Sequence, residues 1–195
     1  MRVPDLRAVC RECRGAAIDD VASLLRSRIH EERLLALLLL VDVFKAGGPA
    51  DRKRTYDVYL ANTASINNWD LVDSSAPQIV GGWLEDRSRA PLDRLTRSAS
   101  LWERRIAIVA THHFIRLGEF DDTLRIADVV LHDSQDLIHK AVGWMLREVG
   151  TRNGAVERRF LKERYRGMPR TMLRYAIERF PKAERRRYLE GRVER

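Results

Sequence analysis

The chain has 195 residues, of which 45% are hydrophobic and 33% charged, a composition typical of a single globular domain with a strongly charged surface. Its densest apolar run, residues 34–44, is interrupted by Asp42 and is shorter than the roughly 18 residues that span a bilayer. The first residues lack the apolar core of a signal peptide, so we expect a cytoplasmic protein. The net charge of +8 favours a polyanionic partner such as nucleic acid, although a protein that is merely soluble can carry the same charge.

Short amphipathic helices with brief connections follow one another along the chain, and no sustained alternation of period two predicts a strand. The rhythm of helix pairs, at roughly 35–40 residues per pair, predicts an all-α fold: an α-solenoid of HEAT-like repeats with a concave basic groove. A compact, irregular helical bundle is the alternative. We expect one domain over residues 1–195. The predicted helices cover residues 5–14, 30–48, 51–66, 68–85, 100–118, 121–131, 135–151, 168–180 and 182–190.

Cys10 and Cys13 are the two cysteines of the chain, in the sequence CREC. One such pair without a second CxxC, or a histidine at ligand spacing, does not complete a tetrahedral zinc site from local residues. Positions three apart share a helix face, so we interpret both as partly buried structural thiols. We expect no metal and no cofactor.

The segment 68–85 begins with Trp69, Asp70 and Asp73. Asn67, Asn68 and Asp70 can be explained as a capped helix start, because an acid in the first turn suits the helix dipole. Asp73 lies one turn after Trp69, on the same stripe as Ala76 and Val80, and capping does not explain it. A carboxylate beside an aromatic face suits a cation better than a phosphate. The alternative is that Trp69 is a core residue.

The helix over 135–151 has two distinct faces. Its apolar stripe runs through Ile138 and Val149, and the opposite face carries Lys140, Gly143, Trp144, Arg147 and Thr151. A tryptophan among cations, beside a glycine that allows close approach, is typical of a nucleic-acid surface. Packing of Trp144 beneath a neighbouring helix is the alternative.

The helix over 100–118 starts with Ser100 and Glu103 at capping-box spacing and is apolar nearly all round. Because its neighbours on this helix are apolar, Arg105 is either half of a buried ion pair or a residue that binds a phosphate. We interpret His112 and His113 as packing or surface residues. The adjacent serines in the segment 68–85 lack the glycine elbow of a serine hydrolase.

Four blocks of the sequence resemble, in this order, the AlkD-type DNA alkylation-repair glycosylases, a family of HEAT-like repeat proteins. The resemblance runs from residue 2 to about residue 190. Members of the family usually carry a further helix pair before the block RVPDLR, and we expect that pair to be absent here. The blocks are INNWDLVDSSAPQIVG, LWERRIAIVATHHFIRLGE, DLIHKAVGWMLREVG and MPRTMLRYAIERF, which begin at residues 66, 101, 136 and 168.

The resemblance implies excision of positively charged alkylated purines, such as 3-methyladenine and 7-methylguanine, from duplex DNA by a monomer without a cofactor. The family's cleft tryptophans correspond to Trp69 and Trp144, its essential aspartate to Asp73, and its backbone-contacting arginine to Arg105. Arg147 occupies a phosphate-facing position one turn after Trp144. Further DNA-binding candidates in the same blocks are Lys140, Arg170 and Arg174.

An alkylated purine is already charged, so an enzyme need not protonate it and must instead stabilise the charge that moves to the deoxyribose and position a water. We expect Asp73 to stabilise the positive charge on the deoxyribose and to orient the water. We expect Trp69 and Trp144 to contact the damaged nucleotide, and Arg105 and Arg147 to bind the flanking phosphates. No lysine stands beside these groups as a Schiff-base nucleophile, which predicts a monofunctional glycosylase. A non-catalytic DNA-binding or scaffold protein on the same fold is the competing hypothesis.

Overall fold

The computed structural model describes residues 9–13 and 15–193. Every regular element in these residues is helical and none is a strand, so the all-α prediction is confirmed for them. Contacts between residues divide the chain into two compact units, Met1–Arg89 (unit 1) and Ala90–Arg195 (unit 2). The single domain expected over the whole chain stays a prediction. None of the described helices is long and apolar enough to cross a membrane.

From residue 15 onward, the described part of unit 1 contains four α-helices, a 3₁₀ turn at Thr63–Ser65 and a π-helical segment at Pro77–Gly81 (the π segment). Residues 9–12 are also helical, and the remainder of the helix predicted over 5–14 lies largely outside the described residues. The four α-helices are α1 (Ile18–Leu24), α2 (His30–Ala46), α3 (Pro49–Ala61) and α4 (Trp69–Asp73).

Helix α2 is the centre of unit 1 and packs against α1, α3, α4 and the π segment. Glu31 and Glu32 lie in its first turn and Lys45 in its last, which complements the helix dipole. The helix ends at Ala46, directly before the glycine pair that closes the predicted segment 30–48. Leu37 and Leu40 of this helix are fully buried. The core of unit 1 therefore forms around the long apolar run that the sequence shows.

Residues 90–193, the part of unit 2 that the structure describes, contain eight α-helices and a 3₁₀ turn at Ile177–Arg179. Three helices of the structure were not predicted: α1, Ala90–Thr96 and Gly154–Arg164. The many charged residues of the last one conceal the buried Phe160 and Leu161. The helices are α5 (Ala90–Thr96), α6 (Leu101–Ala110), α7 (His112–Leu117), α8 (Asp121–Val129), α9 (Asp136–Arg152), α10 (Gly154–Arg164), α11 (Arg170–Ala176) and α12 (Lys182–Leu189).

The predicted N-cap at Ser100 and the predicted end at Gly118 are confirmed for the segment 100–118. The Glu103 N–H donates to the Ser100 hydroxyl at 3.5 Å, and Gly118 ends α7 with a φ of 84°, a conformation that favours glycine. The single helix expected between them is divided at Thr111 into α6 and α7. The Thr111 hydroxyl donates to the Ile108 carbonyl at 2.6 Å, which satisfies that carbonyl beside the break.

Helix α9 is the centre of unit 2, with contacts to α6, α10 and α11. Its predicted apolar stripe, Ile138, Ala141, Val142, Met145, Leu146 and Val149, is fully buried, as expected. Helix α11 crosses it so closely that a Cβ added to Gly143 would lie 2.5 Å from the Met172 carbonyl oxygen and from Tyr175 Cβ. Gly143 is therefore a helix-packing glycine.

Candidate functional site

The helix predicted over 68–85 is broken directly after its candidate acid. Helix α4 ends at Asp73, and a turn at Ser74 and Ser75 leads into the π segment. Pro77 explains the break, because a proline has no N–H to donate to the carbonyl four residues earlier, which here is that of Asp73, and its ring collides with that carbonyl. Asp73 thus lies at a helix end that is followed by a π segment, an arrangement frequent at functional sites.

Trp69 and Asp73, the first and last residues of α4, are held one turn apart on one short element. Trp69 is 55% exposed and is the most exposed large hydrophobic residue of the described chain, so the core alternative for it is wrong. Asp73 is half-buried, whereas Ala76 and Val80, expected on the same stripe, are fully buried because the helix does not continue with a period of 3.6. An accessible indole and a partly shielded carboxylate therefore occur together at α4.

Asp70 is engaged elsewhere, which the sequence did not reveal. Its Oδ2 lies 2.7 Å from His30 Nε2 at the start of α2, and its Oδ1 accepts from the Leu71 N–H at 2.8 Å. Asn68 occupies the N-cap position without a side-chain cap bond, and Asn67 Oδ1 accepts from Arg33 Nη2 at 3.2 Å. These contacts attach the start of α4 to α2.

A buried pair of hydroxyls lies beneath the turn that follows Asp73. Tyr59 of α3 and Ser75 are both fully buried, with 3.1 Å between their hydroxyl oxygens, and Ser75 Oγ donates to the Leu71 carbonyl at 2.5 Å. Desolvation is the main cause that raises the pKa of Tyr59 above its ordinary value, and the negative charge of Asp73 raises it further. The phenol therefore stays protonated and lies within electrostatic range of the Asp73 carboxylate.

In unit 2, Trp144 is not the open platform that its face suggested. It is half-buried, and its ring centroid lies 5.8 Å from that of His112 at an interplanar angle of 40°. Two further residues of the same face have protein partners: Gly143, which was expected to leave room for a ligand, touches α11, and the Thr151 hydroxyl accepts from Arg179. The interpretation of His112 as a packing residue is confirmed, and the pKa of this imidazole is lowered chiefly by its burial.

The two neighbouring arginines of α6 have different environments. Arg104 forms a two-pronged ion pair with Asp133, at 2.6 and 3.3 Å, and also donates to backbone carbonyls. Arg105 is only 5% exposed and donates through Nη1 to the Leu137 carbonyl in the first turn of α9. Arg105 thus joins α6 to α9 and presents little of its guanidinium to solvent, so its expected role as a phosphate-binding residue stays a prediction that requires the side chain to move.

The other predicted phosphate ligands on α9 are paired with carboxylates, because long cationic side chains on a helix reach acids nearby. Arg147 Nη1 forms an ion pair with Glu178, and Lys140 Nζ lies 2.8 Å from Asp136 Oδ2. The hydrogen bond with Asp136 is the main cause that raises the pKa of Lys140. Both pairs are partly exposed and can exchange a carboxylate for a phosphate, so the assignment of Arg147 and Lys140 as DNA ligands stays a prediction.

The remaining candidates lie on α11 and are exposed. Arg170 donates through Nη1 to the Leu189 carbonyl at 3.0 Å, at the end of α12. Arg174 lies beside the exposed Tyr175 and forms no ion pair with a described residue. Arg174 is therefore the predicted DNA ligand of unit 2 that is most readily available.

The two cysteines differ from each other, contrary to the expectation of two partly buried thiols. Cys10 is buried, with its Sγ 3.5 Å from Asp42 Oδ2, whereas Cys13 is exposed, and neither forms a disulfide. Within the described residues, no group of three His, Cys, Asp or Glu side chains is arranged to hold a metal ion.

Comparisons with known proteins indicate one family. A family model described as DNA alkylation repair enzyme matches residues 1–180. Among solved structures, one described as a predicted DNA alkylation repair enzyme from Enterococcus faecalis is similar, with a TM-score of 0.71 and 15% sequence identity over 93% of this chain and 87% of that one. At this identity the likeness shows a shared fold. No curated protein matches the chain.

Proposed function

Because the chain belongs to the family of DNA alkylation repair enzymes, we propose that it is a monofunctional DNA glycosylase. Its substrates would be cationic alkylated purines of the 3-methyladenine and 7-methylguanine type in duplex DNA, whose N-glycosidic bond it hydrolyses. The observation that carries the proposal is the exposed Trp69 one turn from the half-buried Asp73 on α4. Family membership supports repair of alkylated DNA, and this pair supports the choice of a cationic substrate.

The chemistry of the lesion explains why such a pair suffices. Alkylation gives the base a positive charge, so it departs without protonation, and positive charge develops on the deoxyribose as the bond breaks. A carboxylate stabilises that charge and orients the water that attacks the sugar. An indole face contributes about 0.5–2 kcal/mol toward a neighbouring cation. We assign the first role to Asp73 and the second to Trp69.

In the same proposal, residues of unit 2 bind the DNA backbone. Trp144 is a second aromatic contact, and the phosphate contacts come from Arg147, Lys140, Arg170 and Arg174, the first two by exchanging their carboxylate partners for phosphates. A contact between Arg105 and the DNA backbone requires the buried guanidinium to leave the Leu137 carbonyl. Such contacts are insensitive to sequence and weaken with salt.

A monofunctional reaction agrees with the composition of the segment around α4. Residues 63–84 contain no lysine, so no amine in this segment can form a Schiff base with the deoxyribose. The expected product is an abasic site in an uncut strand.

The experiment is the release of base from methylated duplex DNA by the purified full chain, measured by chromatography of the free bases. We expect 7-methylguanine and 3-methyladenine to appear, with strand breaks only after alkali or heat. Release of neither base by folded protein would overturn the glycosylase proposal. Salt-dependent binding to duplex DNA in that case would favour the non-catalytic DNA-binding alternative, and no DNA binding would favour a scaffold.

A further inference from the structure

Helices α10 and α12 of unit 2 enclose a cleft of about 450 Å³ that none of the proposed catalytic or DNA-binding residues lines. Two hydrogen bonds hold its walls together, from Arg158 Nε and Nη2 to the Glu184 carboxylate, at 2.7 and 3.0 Å. Arg158 also lies over the Phe180 ring, 4.6 Å from its centroid. Arg158 and Glu184 thus pair with each other and hold α10 beside α12.

Three further cations line this cleft, which we call the basic cleft: Arg159 and Lys162 from α10, and Arg187 from α12. All three are exposed, and none forms an ion pair within the described part of the chain. Exposed arginines elsewhere in unit 2 do find carboxylates, as Arg125 does with Asp93 and Arg186 with Glu190. Like charges without such partners repel one another, so ion pairing within the fold does not explain why these cations lie together.

The acids near the basic cleft do not neutralise it. Glu184 is engaged by Arg158, and this hydrogen bond is the main cause that lowers the pKa of Glu184, with a smaller contribution from the charge of Arg187. Glu157 is buried beneath the cleft against Gly150, and desolvation raises its pKa to about 8, so most of it is uncharged at neutral pH. Four cations therefore face one ionised carboxylate along the lining.

The donors of the cleft suit phosphate groups. Guanidinium groups bind phosphate oxygens with two parallel hydrogen bonds, and an ammonium adds a point charge. Cations from two helices can hold phosphates that follow one another along a strand. We propose that the basic cleft binds backbone phosphates of duplex DNA, as a contact separate from the residues that act on the lesion. This inference rests on the proposed DNA substrate but not on the glycosylase chemistry.

The test is the salt dependence of binding to an undamaged duplex, measured by fluorescence anisotropy between about 50 and 200 mM salt. The cleft variant of the full chain carries Arg159→Gln, Lys162→Gln and Arg187→Gln. The control variant loses the same charge at three cations that do not line the cleft, through Lys182→Gln, Arg185→Gln and Arg192→Gln. Circular dichroism and thermal unfolding check that both variants fold.

Each phosphate contact contributes about 0.9 to the slope of log K against log salt, so the cleft variant should show a slope shallower by about 2 to 3 while the control keeps the wild-type slope. Equal slopes in all three proteins, or an equal decrease in both variants, would contradict the proposal. Binding of inorganic phosphate or free nucleotides at the basic cleft, without binding of duplex DNA there, would also contradict the proposal. Base release by the wild-type protein separates the two proposals. If the cleft variant keeps the wild-type slope and the wild-type protein releases base, only the cleft proposal is refuted. If the cleft variant has a shallower slope and the wild-type protein releases no base, only the glycosylase proposal is refuted.

Discussion

The hydroxyl oxygens of Tyr59 and Ser75 lie 3.1 Å apart in the interior of unit 1, directly beneath the end of α4. The Ser75 hydroxyl has a single proton, which it donates to the Leu71 carbonyl, so the Tyr59 hydroxyl must be the donor to Ser75. This chain of two hydrogen bonds joins α3 to the turn that follows Asp73. It therefore fixes the direction in which α4 ends and, with it, the position of the candidate carboxylate.

Tyr59→Phe removes the first of these bonds and keeps the packing of the ring. The free energy of unfolding should fall by about 0.5–1.5 kcal/mol, the net value of one buried hydrogen bond, as measured by urea denaturation. Base release should fall further than stability explains, mainly in kcat, because the turn that positions Asp73 loses its support. Unchanged kcat in a folded variant would show that Ser75 does not need Tyr59 to place the acid.

Trp69→Ala should reduce base release by about two- to thirtyfold, the equivalent of 0.5–2 kcal/mol, without destabilising the fold, since the indole is largely exposed and contributes little to the core. Ile29→Ala is the matched control, because Ile29 of the same unit is 54% exposed and has no proposed role. Both variants should unfold within about 0.5 kcal/mol of wild type. Equal activity of the two variants would remove Trp69 from the site.

Gly143→Ala should destabilise unit 2 by about 1–3 kcal/mol, because the added methyl would collide with the backbone of α11 and the two helices would have to separate. Gly48→Ala is the comparison: a Cβ there meets nothing within 4 Å, and its cost should stay below about 1 kcal/mol, the preference of an N-cap. Thermal unfolding measures both. Similar midpoints for the two variants would contradict the close approach of α9 and α11.

Glu157→Gln should alter the pH dependence of stability. Burial raises the pKa of Glu157 from 4.5 to about 8, so between these values the folded protein retains a proton that the unfolded chain releases. The wild-type protein must therefore lose stability as pH rises through this window, by at most about 1.4 kcal/mol per pH unit, and change no further from this group above it. Chemical denaturation at pH 5, 7 and 9 should show a smaller decrease in the Gln variant; parallel curves would contradict the raised pKa.

Local signals in the sequence predicted much of the fold, and distant partners account for most of what it missed. Ser100 with Glu103 and Gly118 act on their own backbone, so the ends of the segment they enclose were predictable. The break after Asp73 was also predictable in principle, since Pro77 stands four residues later. The pairing of Asp70 with His30 was not, because the two residues are 40 positions apart and meet only when α4 packs on α2.

The periodicity of α9 identified its buried stripe but not the environment of the opposite face. A helix wheel assigns that face to solvent, yet α11 covers Gly143, and Glu178 pairs with Arg147. Both neighbours come from segments more than 25 residues later in the chain. Exposure of a polar face therefore has to be established from packing, and Trp69, at the edge of a short helix, is the tryptophan whose exposure the structure supports most strongly.

The most direct test of the proposed activity is a comparison of Asp73→Asn with wild type on duplex DNA containing a single 7-methylguanine. The substitution removes the charge and keeps nearly the same volume. We expect the single-turnover rate of base release to fall by at least about 100-fold, since electrostatic stabilisation of this kind is typically worth that much, while the Kd for the same duplex changes less than about threefold. A variant that releases 7-methylguanine at the wild-type rate would contradict the assignment of Asp73 as the group that stabilises the sugar cation.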